Sequence, residues 1–159
     1  MKFFLHFKCP LCKDIQSAVS KLLQKNGYSV IAAEVKEGFT KPACFVDVMP
    51  VSVEIENKYS ELVTVSVEIS YHPAAETKEE LIVNAEKLKN IFLYTPLKVK
   101  DRYLSVNEVT FDTDKSALIT YFELEFIQET NTKSASVPKM KNLDERVVTD
   151  SHGTSENIN

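Results

Sequence analysis

From Val63 to Tyr71 the chain alternates without a break. Val63, Val65, Val67, Ile69 and Tyr71 fall on one side, and Thr64, Ser66, Glu68 and Ser70 fall on the other. A period of two over this length is that of a strand in a sheet with one buried face. That apolar face must be covered, and the neighbouring segments supply the cover.

Residues Leu11 to about Lys25 place Leu11, Ile15, Ala18, Val19, Leu22 and Leu23 at helical spacing, and Asn26-Gly27 supplies a stop. Tyr28 to Val35 reads as a strand, Lys36 to Lys41 as a loop, and Pro42 opens a second strand over Ala43 to Met49. Pro50 predicts an interruption or an edge bulge, after which Val51, Val53 and Ile55 resume the alternation up to an Asn57-Lys58 turn. After His72-Pro73, Thr77 and Glu80 have capping-box spacing ahead of a helix carrying Leu81, Ala85, Leu88 and Phe92. Leu97 to Val99 is a candidate short strand and Tyr103 to Phe111 a longer one. Asp112 to Lys115 reads as a turn. The last strand, Ala117 to Ile127, turns Phe122, Leu124 and Phe126 inward. Beyond Glu129 the residues are polar and aperiodic, with too little apolar surface to offset ordering entropy.

The expected fold class is α+β: an antiparallel or mixed sheet packed against two helices, in the order α-β-β-β-α-β-β, followed by a disordered tail. The expected divisions are an extension over 1–10, a domain over 11–129 and a polar tail over 130–159. At 159 residues and 43% hydrophobic content the chain has enough material for one cored domain. A net charge of −4 argues against a specific nucleic-acid footprint, which needs concentrated Lys and Arg. No apolar run approaches a membrane span, and the short basic-then-apolar start lacks the cleavage site of a signal peptide, so synthesis in the cytoplasm is expected.

The chemistry-bearing residues are few. Cys9-Pro10-Leu11-Cys12 stands between a strand-like Phe3–Phe7 and a helix, the setting in which thioredoxin-like proteins lower a thiolate pKa. Met49-Pro50 lies at about the separation of their cis-proline. The run from Lys36 to Met49 holds no second helix, so a thiol–disulfide role for Cys9 and Cys12 is the alternative reading rather than the main one. One Cys-x-x-Cys supplies two ligands where a structural zinc wants four, and Cys44 reads as a small buried hydrophobe. Glu34, Glu37, Asp47, Glu54, Glu56, Glu68, Glu123 and Glu125 mostly alternate with apolar residues, as solvated strand faces do. The run Lys98, Lys100, Arg102 is either a solvated loop or a contact for an acidic partner. No catalytic triad, P-loop or dinucleotide fingerprint is present. Neither an enzyme nor a cofactor nor a metal is expected.

One ordered set of motifs remains. It is Glu34-x-x-x-Gly38-Phe39-x-x-Pro42-x-x-Phe45, then Lys58-Tyr59, Tyr71-x-Pro73 and the aromatic strand at Tyr121-Phe122. From about Leu11 to Ile127 the chain resembles the small tail terminator proteins of tailed phages and tail-derived bacteriocins. The resemblance implies a ring, a hexamer, that caps the tail tube, stops its growth and offers a surface to head-completion or sheath proteins. Location in the virion tail follows, with assembly in the bacterial host. It also implies subunit or tube contacts at Gly38, Phe39, Pro42, Phe45, Tyr59, Tyr71 and Pro73. Phe39 has a plainer reading as a cover over its own core. The first ten residues and the polar tail stand outside the pattern.

Overall fold

A computed structural model of the chain describes residues 10–31 and 38–130. Cys9, Glu34, Glu37, the second half of the expected Tyr28–Val35 strand and the segment 131–159 lie outside the described residues. The expectations of a strand-like start, an N-terminal extension and a disordered tail fall there, all but Pro10 and Thr130.

The order is α1 (Pro10–Lys25), β1 (Val30–Ile31), β2 (Ala43–Ile55), β3 (Ser60–His72), α2 (Lys78–Leu93), β4 (Leu97–Val99), β5 (Arg102–Leu104), β6 (Thr110–Asp114) and β7 (Ala117–Glu129). Five strands form one sheet in the order β1-β2-β3-β7-β6. Only β1 and β2 run parallel, so the sheet is mixed. The α+β class is the one expected from the sequence, and the two helices and the five strands of the main sheet follow the expected order α-β-β-β-α-β-β, with the β4–β5 ribbon added after α2.

The alternation of β3 sets the layers. Val63, Val65, Val67 and Ile69 are fully buried, and each is registered against an inward residue of β7: Phe126, Leu124, Phe122 and Thr120. On the other flank Val46, Val48 and Val53 meet Ile69, Val67 and Val63. Ile15, Val19 and Leu23 of α1 and Leu88 and Phe92 of α2 share this core, so both helices lie on one face of the sheet. Each buried Val, Ile, Leu or Phe side chain stabilises the fold by roughly 1.5–3 kcal/mol. Phe92 and Phe122 join α2 to β7 with ring centroids 4.9 Å apart.

The ends of the helices follow the sequence signals. The amide of Gly27 donates to Gln24 and that of Tyr28 to Leu23, with Gly27 at φ +88°, a Schellman termination that needs a residue tolerant of positive φ. Thr77 caps α2 by accepting from the Glu80 amide at 3.3 Å. The Glu80 carboxylate does not complete the expected box. It accepts instead from the amides of Ala74 (3.2 Å) and Ala75 (3.0 Å) and from the Tyr71 hydroxyl (2.9 Å).

Of the two readings of Pro50 the bulge is the one observed, and two other local expectations change. Pro50 does not end β2. It pairs with Val65, and the register shifts between Pro50 and Ser52, so one bulge absorbs the missing donor along an edge. The expected Tyr103–Phe111 strand is two strands: β5 pairs with β4 in a separate ribbon, and β6 joins the main sheet. β6 also runs on through Asp112 to Asp114, so the turn lies at Lys115-Ser116, with Lys115 at φ +55°.

Candidate assembly surfaces

The motif residues divide between two ends of one long hairpin. β2 and β3 are 13 residues each, roughly 40 Å at about 3.3 Å per residue. At one end, the last residue of β3, His72, faces Phe45 of β2 and the incoming Phe39. The three rings touch edge-on, with centroids 4.9 Å apart for Phe39–Phe45, 5.1 Å for Phe39–His72 and 5.5 Å for Phe45–His72. Gly38, at φ +77°, turns the chain toward this cluster, and the Lys41–Pro42 peptide is cis. All three rings are half-buried. Phe39 therefore does cover its own sheet, on the face opposite the helices, and still presents part of its ring outward. Lys41 pairs with Glu76 beside the cluster. Burial, followed by the Lys41 charge, holds the His72 pKa below its ordinary value of 6.5. The Lys41 contact lowers that of Glu76.

Tyr71 points the other way. It is 5% exposed, meets Tyr28 edge-on at 5.8 Å and is bonded to Glu80. Burial and the neighbouring carboxylate push its pKa well up. Tyr28 donates to Asn84 at 3.1 Å and, desolvated, is raised to about 12, as is buried Cys44. Asn84 in turn donates to the Glu80 carbonyl at 2.8 Å. This polar seam ties β3 to α2 and leaves nothing of Tyr71 to offer a partner. Pro73, which ends the strand, is buried as well.

Tyr59 is at the far end. Asn57 builds the hairpin tip by accepting from the Tyr59 and Ser60 amides at 2.8 and 3.0 Å, and Thr130 closes it by donating to the carbonyls of Tyr59 and Lys58. The braced tip leaves Tyr59 71% exposed, and Ile55, the last residue of β2 at the same end of the hairpin, is 80% exposed. Of the motif residues, Phe39 and Phe45 come together with Gly38 at the turn leading in, Pro42 lines a recess with Tyr28 and Tyr71, Tyr59 stands apart, and Tyr71 and Pro73 are interior.

The sheet face opposite the helices gathers the carboxylates. Asp47, Glu68, Glu123, Glu125, Asp112 and Asp114 project from it, and none of its strand positions carries Lys or Arg. Burial together with Glu68, Asp112 and Asp114 raises the Tyr121 pKa on that face. Alternation in the sequence marked Asp47, Glu68, Glu123 and Glu125 as outward, whereas Asp112 and Asp114 lie in the segment expected as a turn. Their convergence on one surface needed the register.

The basic run is used within the chain. Lys100 pairs with Asp14 of α1 at 2.8 Å, Arg102 donates to the Ile127 carbonyl at 2.7 Å, and Lys98 lies 5.8 Å from the Tyr103 ring centroid. Cys12 is half-buried in the first turn of α1, while Pro50, where the redox reading wanted a cis-proline, sits in the β2–β3 ladder. Among the described residues no three His, Cys, Asp or Glu converge on a point that could hold a metal, and no helix is long and apolar enough to cross a membrane.

A search of curated proteins finds no match to the chain. The family model described as "Phage tail terminator protein" matches residues 14–136, from the first turns of α1 to beyond the end of β7. With the match covering both helices and all the strands, the chain belongs to the phage tail terminator family.

Proposed function

We propose that this tail terminator closes into a ring, a hexamer, that seats on the last ring of tail-tube subunits, stops polymerisation and offers its opposite side to head-completion or sheath proteins. The carrying observation is the separation of two unlike apolar patches on one rigid hairpin: Phe39 with Phe45 at one end, Tyr59 with Ile55 at the other. A cyclic ring needs two different, complementary patches on each subunit. The acidic sheet face suits a bore through which DNA passes without being held, because its described strand positions offer phosphate no Lys or Arg. The role is structural and non-enzymatic, in the virion tail, with assembly in the host cytoplasm. The working unit is the 11–129 domain, and residues 1–10 and 130–159 are extensions of it.

Phe39→Ala tests the reading. The variant should fold, lose ring formation in native mass measurements with and without tube protein, and give abnormally long or headless tails by electron microscopy of lysates. Normal tail lengths in a strain lacking the protein altogether would overturn the assignment.

A further inference from the structure

β7 is paired along its whole length with β3, but on its other side β6 stops at Tyr121. The Tyr121 carbonyl accepts from the Thr110 hydroxyl and the Ile127 carbonyl from Arg102, so odd-numbered residues turn their main-chain groups to that side. Glu123 and Glu125 lie between them, and among the described residues no strand pairs with them there. An open recess of about 660 Å³ lies against this stretch, lined by Glu123, Glu125, Glu108, Ser66, Asn107 and Tyr103. An interrupted edge with room beside it is the feature that accepts an added strand.

We propose that this gap receives the segment Lys133–Lys141 of a neighbouring copy of the chain, as a short added strand that locks subunits together. Three observations select that occupant. Charge is the first: residues 131–143 carry Lys133, Lys139 and Lys141 and no acidic residue, against Glu108, Glu123 and Glu125 in the recess. The second is pattern: Ser134 and Ser136 alternate with Ala135 and Val137, a period of two, and Pro138 limits the added strand to a short one. The third concerns origin. A segment folding back from its own Thr130 would pair first at Ile127, where Arg102 already holds the carbonyl. A strand arriving from another copy needs only Glu123 and Glu125. The proposal rests on the ring reading for its second copy and adds which surface and which segment join the copies.

The test uses the full chain. A photo-crosslinking residue replaces Ala135, and 14N- and 15N-labelled protein are mixed before irradiation. Crosslinks from position 135 to residues 122–126 in mixed-isotope peptides are expected. Crosslinks only within one label, or only elsewhere, would overturn the proposal. Glu123→Lys with Glu125→Lys should weaken self-association at least about tenfold with an unchanged melting temperature, and adding Lys133→Glu with Lys139→Glu should restore it. If the full chain and a chain ending at Thr130 form rings equally well, the strand exchange is wrong and the ring stands. A full chain that stays monomeric with tube protein present would overturn both.

Discussion

The hydroxyl of Tyr71, at the end of β3, donates to the Glu80 carboxylate in the first turn of α2 at 2.9 Å. The same carboxylate takes the Ala74 and Ala75 amides, so one side chain fixes the path from strand to helix. Those amides, the Ala75 one foremost, keep the Glu80 pKa low. Tyr71→Phe should cost about 1 kcal/mol, the net worth of one hydrogen bond. Glu80→Gln should be worse than Tyr71→Phe, because three donors then lose a charged acceptor. Denaturant midpoints check the order, and a Glu80→Gln variant as stable as wild type would show that the loop holds itself.

Thr120 is fully buried on the core face of β7, and its hydroxyl finds no partner among the described residues. Replacing an orphaned hydroxyl by a methyl of the same shape removes a desolvation cost of roughly 1 kcal/mol. Thr120→Val should therefore raise the melting temperature by about 3–6 °C. A fall measured by calorimetry would mean that the hydroxyl is satisfied in solution.

Val67 and Glu68 are neighbours on opposite faces of β3. Val67→Asp places an unpaired charge between Val48 and Phe122 and should cost several kcal/mol, a large part of an ordinary domain's stability. Glu68→Lys replaces one of two facing carboxylates, since Asp47 is its registered partner, and should change stability by no more than about 0.5 kcal/mol. Equal losses in urea titrations would refute one-sided burial.

His72 carries a pH signature. Its folded pKa lies below the ordinary value of 6.5, through burial and then Lys41, so folding favours the neutral ring. The stability it contributes is fully present above pH 6.5 and is lost as the pH falls through the lower folded value. Glu76 and Glu80 have depressed carboxylate pKa values, and their losses begin below 4.5. Stability should fall in wild type as the pH drops below 6.5. In His72→Phe, which keeps a ring against Phe39 and Phe45, that slope should vanish. A slope that persists would assign it to another group.

Residue order alone determined the helix of Ile15, Val19 and Leu23, its stop at Gly27, the cap at Thr77 and the two-faced strand from Val63 to Tyr71. Periodicity and capping act within one or two turns of chain, so they can be read without knowing the partners. The ordered motifs at Gly38, Phe39, Pro42 and Phe45 likewise pointed to the family. Only the tertiary structure decided what depends on register and on contacts distant in sequence. It sent Tyr71 and Tyr59, both motif residues, respectively into the core and out to a hairpin tip. It split Tyr103–Phe111 between two sheets, because Val99 and Leu104 close the core end while Thr110 must reach β7. It engaged Lys100 and Arg102 with Asp14 and Ile127, and it turned Glu80 from its cap to the Ala74–Ala75 amides. Each of these outcomes depends on which strand lies next to which, and that is set by burying the β3 face under both helices at once.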